Sequence, residues 1–537
     1  PSEQICNNMP TNVTLTSHVA GTLFTWTCTP SSGNVSGYCD NAVPATILNQ
    51  TLVNSGFAIE SVTYHVTGTA NGCTGPVTDY VVTLVSRPDL TNSPLSKQIC
   101  NNTGTNVTLT SNVSGTLFTW TATPSSGNVS GYSNNAIPAT LLNQTLVNSG
   151  FATEGVTYHV TPTANGCNGN VTDYVVTVYP TPNLSNSPLN KQICNTLSTN
   201  IPLTSNVAGT LFTWTASGSS GNVSGYSNNA VPGVLINQTL INSGYNIESV
   251  TYHVTGTANG CNGPVTDYVV TVYPTADVYF NPISLTICSQ QNANVQVLSH
   301  VSGASFTWTA SASSPNVTGF SNGSGNAVFQ TLINSGTTIE SVTYHVTGTA
   351  NGCTGLSADI VVTVNPTPHV TTVPLSKIIC SASATGINLT SGVTGSTFAW
   401  TVSATSPNLN GFVSGSGNTI NQTLNNSGYT IESVTYQVTP TANGCAGPVS
   451  NYIVTVNPIP DVSNNPLSKQ ICSGTSSNIP ITSNVAGTSF SWTATGSSPN
   501  IIGFSAGSGT TISQVLTNLG FTIEGVTYHV TPVANGC

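Results

Sequence analysis

The run Val156-Thr-Tyr-His-Val-Thr-Pro-Thr-Ala-Asn-Gly-Cys167 decides the fold. Val156, Tyr158 and Val160 fall on alternate positions, with Thr157, His159 and Thr161 between them. Period-two alternation of β-branched and aromatic residues marks a half-buried strand. Asn165-Gly166 then supplies a hairpin turn, because both residues tolerate positive φ. Val171-Thr-Asp-Tyr-Val-Val-Thr-Val178 reads as the returning strand. Upstream, Asn106-Val-Thr-Leu-Thr110 alternates in the same way, and Leu117-Phe-Thr-Trp-Thr-Ala122 puts Phe118, Trp120 and Ala122 on one face. Helix signals are absent. About seven short strands around one buried Trp predict an all-β, immunoglobulin-like sandwich of two sheets.

The same pattern recurs six times. Cys6, Cys100, Cys194, Cys288, Cys380 and Cys472 open the repeats at intervals of 94, 94, 94, 92 and 92 residues. Each is followed twenty residues later by a tryptophan: Trp26, Trp120, Trp214, Trp308, Trp400 and Trp492. Each repeat then reaches Ala-Asn-Gly-Cys, at Cys73, Cys167, Cys261, Cys353, Cys445 and Cys537. A fixed period of this kind is the signature of a tandem array. The last three copies are two residues shorter between Trp and the second Cys, a change that a loop absorbs. Proline-bearing segments such as Arg87-Pro88, Pro180-Thr-Pro182, Pro366-Thr-Pro368 and Pro458-Ile-Pro460 separate the copies. They read as short, semi-stiff spacers. The predicted domains are 1–87, 88–181, 182–275, 276–367, 368–459 and 460–537, the last without its final strand. Because the sequence stops at Cys537, before that strand, the natural chain is expected to continue or to receive the strand from another chain. It opens on Pro1 with no signal peptide, which reads as a processed chain or an excerpt.

Composition narrows the function. Only 4% of residues are charged, against about 25% in ordinary soluble proteins. Five basic residues leave neither a nucleic-acid footprint nor a polybasic membrane patch. No apolar run approaches the ~18 residues that cross a bilayer. Fourteen cysteines at regular spacing read as disulfides, which require an oxidising compartment. The expected pairing is a staple inside each repeat: Cys6–Cys73, Cys100–Cys167, Cys194–Cys261, Cys288–Cys353, Cys380–Cys445 and Cys472–Cys537. It assumes that the first strand begins at the end where the hairpin turns. Repeat one carries an extra pair, Cys28 and Cys39, where repeat two has Ala122 and Ser133. Their joint appearance predicts a seventh bond between them.

The runs 156–167 and Thr204-Ser-Asn-Val-Ala-Gly-Thr210 resemble the PKD-like Ig repeats of giant surface proteins of Bacteroidota. The resemblance covers every repeat. It implies export by the type IX secretion system and a role in gliding adhesins or contact filaments, including grappling-hook fibres.

Several polar residues recur at fixed repeat positions. His65, His159, His253, His345 and His529 share a strand position that Gln437 fills in repeat five. A metal-binding or catalytic His does not usually tolerate Gln, so a solvated or hydrogen-bonding role is expected. Asp79, Asp173, Asp267 and Asp359 become Asn451 in repeat five, and no Asp-x-Asp cluster of the calcium-binding kind occurs. Glu60, Glu154, Glu248, Glu340, Glu432 and Glu524 precede a strand, and Lys97, Lys191, Lys377 and Lys469 precede a cysteine. These read as surface ion pairs or turn-capping carboxylates. Tyr38, Tyr132 and Tyr226 exchange with Phe320, Phe412 and Phe504, which indicates core packing rather than a sugar platform. No catalytic motif is present, so no catalytic residue, metal or cofactor is expected. The function expected is an extracellular structural or adhesive filament at the cell surface. Its partners would be identical chains in a parallel fibre of cyclic symmetry, and glycans or proteins on a target surface. Spacer modules of a secreted polysaccharide-degrading enzyme, or a surface-layer protein, are the alternatives.

Overall fold

The computed structural model describes all 537 residues, and they form strands and turns with no helix. The chain folds as two compact units, 1–274 and 275–537, each carrying three repeats.

Repeat two serves as the template for the first unit. Strand Ser96–Cys100 lies parallel to Thr172–Tyr179, which runs antiparallel to Glu154–Ala164. Glu154–Ala164 pairs with Leu117–Pro124, which pairs with Asn135–Ala139 at the far edge. The register sets Tyr158 opposite Ala122 and Tyr174, and Val160 opposite Trp120. Residues directly opposite share a face, so the alternation read in the sequence gathers on one side of this sheet. The facing layer is built from short pieces: Thr103–Gly104 and Val129–Ser130 pair with Thr145–Asn148, and Val107–Thr108 pairs with Leu141–Leu142.

Between the layers lie Val107, Phe118, Trp120, Leu142, Leu146, Val156, Tyr158, Val160, Val176 and Val178. Each such side chain contributes about 1.5–3 kcal/mol by leaving water. Tyr158 is fully buried, and its hydroxyl donates to Gln144 Oε1 at 2.9 Å. The same Tyr–Gln bond recurs in all six repeats. Burial removes the phenol from water, and the glutamine replaces the lost partner.

In the second unit the edge strand shrinks to two residues, Gly323–Ser324, Gly415–Ser416 and Gly507–Ser508. This is where the shorter period is absorbed. In repeat six, Val526–Val533 pairs only with Ser489–Gly496. Residues 468–472 form no strand there, because their partner would be the segment that follows the hairpin.

The proline segments are not free spacers. Thr91 N–H donates to Thr110 O at 2.9 Å, and Leu90 bridges to Ser111 and enters the core of repeat two. Leu184, Val278, Val370 and Val462 occupy the same place in the next four repeats. Each segment is therefore an edge piece of the sandwich that follows it.

Candidate functional site at the repeat joints

The disulfides join neighbouring repeats and do not staple single ones. Cys6 bonds Cys167 and Cys100 bonds Cys261 in the first unit. In the second, Cys288 bonds Cys445 and Cys380 bonds Cys537. Cys194 and Cys353 are also disulfide-bonded, while Cys73 and Cys472 are free. The expected pairings Cys6–Cys73, Cys100–Cys167, Cys194–Cys261, Cys288–Cys353, Cys380–Cys445 and Cys472–Cys537 are thus corrected. The reason is strand direction. Ser96–Cys100 runs parallel to the last strand, so Cys100 sits beside Tyr179. That is the end of the sheet where Glu154 pairs with Val178. Cys167 sits beside Ala164, at the other end of the same strand. Ten residues of extended chain separate the two ends by about 33 Å, far beyond the ~7 Å Cα separation that a disulfide spans. The first strand instead delivers its cysteine to the hairpin turn of the following repeat, where the bonded Cα atoms are 5.6 Å apart.

The turn that receives it is held by its Asn-Gly pair, with φ of 49° at Asn165 and 77° at Gly166. Its carbonyl is also recruited, since Gln4 Nε2 donates to Asn165 O at 2.7 Å across the joint. Asn365 and Asn457 do the same to Asn443 O and Asn535 O. Two residues beyond the cysteine stands a glycine. A Cβ on Gly169 would lie 1.7 Å from Pro88 O, and Gly263, Gly355 and Gly447 meet Pro182, Ala276 and Pro368 in the same way. The joint is a packed cradle of disulfide, side-chain hydrogen bond and bare glycine.

The recurring polar residues prove to be structural pairs. His159 Nδ1 contacts Asp173 Oδ1 at 2.6 Å from the adjacent strand, and its Nε2 meets Thr123 Oγ1 at 3.2 Å. His65–Asp79, His253–Asp267 and His345–Asp359 repeat the contact. In repeat five the register partners are Gln437 and Asn451, so both members change together to a neutral pair. That joint change was visible in the sequence as a contact signal. Of the two roles expected for the glutamates, the turn-capping carboxylate is the one found, and no Lys–Glu ion pair forms. Ser125 Oγ donates to Glu154 Oε2 and accepts from Gly155 N–H, so the carboxylate braces a turn. The hydroxyls of Ser125 and Ser126 hold the Glu154 carboxyl below its ordinary range. Lys191 and Lys377 donate instead to backbone carbonyls of Thr199 and Thr385. Tyr132, Tyr226, Phe320 and Phe412 pack against their cores as expected.

The predicted Cys28–Cys39 bond is absent as well. Cys28 packs against the core where Ala122 does in repeat two, and its thiol donates to Cys39 O at 3.1 Å. Cys39 Sγ accepts from Gln50 Nε2, as Ser133 Oγ accepts from Gln144. Each thiol has taken over an Ala or Ser position in an unchanged scaffold, and the two point at different partners.

No curated protein matches the chain. Among solved structures, Drosophila N-cadherin EC1-4 aligns at 11% identity and TM-score 0.23, over 68% of this chain and 98% of its own. The N-terminal eight Ig domains of Down syndrome cell adhesion molecule align at 9% and 0.24, over 98% and 71%. The titin fragment I67-I69 aligns at 9% and 0.28, over 52% and 98%. The PKD-like domain family matches residues 3–88, 97–182, 191–276, 285–368, 377–460 and 469–537. These six segments take in nearly the whole sequence, and the chain belongs to the PKD-like domain family.

Proposed function

We propose that this chain is a load-bearing segment of an extracellular filament at a cell surface, structural or adhesive and without catalytic activity. The observation that carries the reading is the disulfide that crosses from the first strand of one repeat to the hairpin turn of the next. A bond inside a domain would stabilise that domain. A bond between domains braces a joint, which matters to a molecule that transmits tension. It also requires an oxidising compartment. The resemblance to surface proteins exported by the type IX system suggests a bacterial contact filament.

Identical chains running side by side in register, with cyclic symmetry about the fibre axis, are the partners this reading implies. The neutral surface offers little repulsion. Val77, Val171, Val265 and Val449 stand exposed at one position in four of the repeats, so a weak apolar contact can recur at these levels and add along the length. Glycans or proteins on a target surface would be the adhesive ligands. Negative-stain imaging and sedimentation in about 0.1 M and 1 M salt test the bundle, since ion-pair assembly weakens across that range. Filaments wider than one sandwich that persist at high salt are expected. A monomer in both conditions refutes the bundle.

A further inference from the structure

A hydroxyl, an imidazole and a carboxylate line up on the outer sheet face of each repeat in the first unit. In repeat three, Ser217 Oγ lies 3.4 Å from His253 Nε2, and His253 Nδ1 lies 2.6 Å from Asp267 Oδ1. Thr29–His65–Asp79 and Thr123–His159–Asp173 repeat the arrangement, at 3.1 and 3.2 Å to the hydroxyl and 2.6 Å to the carboxylate. Three adjacent strands build it. His253 stands opposite Asp267 on one side and opposite Thr215 on the other. Its ring reaches past Thr215 to the hydroxyl two residues on, which shares that face of the sheet. Thr29, Thr123 and Ser217 are all exposed.

The carboxylate fixes how the ring can act. A carboxylate only accepts hydrogen bonds, so the proton of a neutral imidazole sits on Nδ1 and Nε2 keeps its lone pair. The Ser217 O–H then donates to Nε2. A hydroxyl held against a base that a third group orients is the general arrangement of an activated nucleophile, recognised by geometry and not by fold. Repeat five carries the same strands without the base. There Gln437 stands opposite Asn451, and Thr401 Oγ1 donates to Gln437 Oε1 at 3.2 Å. Ser403 keeps the position of Ser217, three residues after the tryptophan, and is equally exposed. An amide oxygen accepts a hydrogen bond but does not take the proton.

We propose that Thr29, Thr123 and Ser217 are acyl-acceptor sites, modified by activated carboxylic esters or thioesters that reach this face. At Ser217 the hydroxyl oxygen attacks the acyl carbon while His253 Nε2 takes its proton. The bond from that carbon to the leaving group then breaks, and the imidazolium returns the proton to the departing alkoxide or thiolate. Asp267 is the positioning residue, holding the ring and stabilising its charged form. An open, wetted face gives the developing oxyanion little stabilisation of its own, so the donor must arrive activated. The ester stays on the chain, and each site is a point of attachment and not of turnover. This goes beyond the filament reading and does not depend on it.

The probe is p-nitrophenyl acetate, added to the full oxidised chain, with acetylated hydroxyls mapped and quantified by tandem mass spectrometry. Like is compared with like inside one molecule. Ser217 should acetylate at least about tenfold faster than Ser403, and Thr123 at least about tenfold faster than its exposed neighbour Thr121, which is the effect of a positioned general base. His253→Gln and Asp267→Asn install the residues that repeat five itself carries, so the sandwich accommodates both. His253→Gln should bring Ser217 down to the rate of Ser403 while Thr123 in the same molecule is unchanged. Asp267→Asn should slow Ser217 at least about tenfold and shift the ring nitrogen resonances of His253 away from the Nδ1–H tautomer, with the melting temperature unchanged. Equal acetylation of Ser217 and Ser403, or of Thr123 and Thr121, overturns the proposal, as does a Ser217 rate untouched by His253→Gln.

Discussion

Because the disulfides cross the joints, the first unit contains two equivalent covalent routes for tension. Cys6 and Cys261 are 255 residues apart along the backbone. Either bond, Cys6–Cys167 or Cys100–Cys261, skips 161 residues and leaves 94. At about 3.5 Å per residue the oxidised unit extends to about 330 Å and the fully reduced one to about 890 Å, a gain of about 560 Å. The two routes are in parallel. Replacing Cys6 and Cys167 by Ser leaves the route through Cys100, which is also 94 residues long, and the same holds for the reverse replacement. The full chain, gripped at peptide tags on either side of residues 1–274 and stretched in a single-molecule force experiment, should show this redundancy. Either double replacement is expected to leave the maximal extension unchanged, whereas the quadruple replacement adds about 560 Å. Thermally, each bond closes a loop worth up to about 5 kcal/mol in the chain-entropy picture, so both double replacements should lower the melting temperature. An oxidised native chain that extends to the full backbone length, or a single lost bond that releases the whole increment, would refute the reasoning.

Gly169→Ala drives a methyl group to within 1.7 Å of Pro88 O and should cost about 3 kcal/mol, the upper range of overpacking. Calorimetry of the Gly169→Ala variant against the parent chain checks this, and an unchanged melting temperature counts against the packed joint. The six strand-leading glutamates are held below their ordinary value near pH 4.5 by neighbouring hydroxyls. Their contribution is therefore complete above that pH and is lost as pH falls through the lower folded value. Glu154→Gln should reduce stability at pH 7 and flatten the acid limb of a denaturation series, and an unchanged acid limb counts against the assignment. Four thiols should titrate in the denatured, unreduced chain, at Cys28, Cys39, Cys73 and Cys472, and a count of two would restore the Cys28–Cys39 bond. In the native chain Cys28 should alkylate last, because burial and the adjacent Asp40 push its thiol up to about 12.

Local pattern was enough for most of the sandwich. Alternation in Val156–Val160, the Asn165-Gly166 turn and the Tyr–Phe exchange at Tyr132 and Phe320 each report a strand, a reversal or a packed face within a few residues of chain. The coupled change of His159 and Asp173 to Gln437 and Asn451 also lay in the sequence as a contact signal. The disulfide partners did not. Every repeat carries the same two cysteines, so bonding within a repeat and bonding to the next are indistinguishable by spacing. The choice turns on whether Ser96–Cys100 runs parallel or antiparallel to Thr172–Tyr179, and nothing in either strand's own residues states it. Direction places Cys100 at the far end of the sheet from Cys167, beside the turn of the next sandwich. The seating of Pro88–Asn92 was hidden for the same reason. Proline in an extended segment marks a break in the local hydrogen-bond ladder, but whether Leu90 meets water or a core depends on the packing of a neighbouring domain. A single repeat thus encodes its own layers through short-range periodicity, whereas the covalent joint is created only when two folded repeats bring distant ends together.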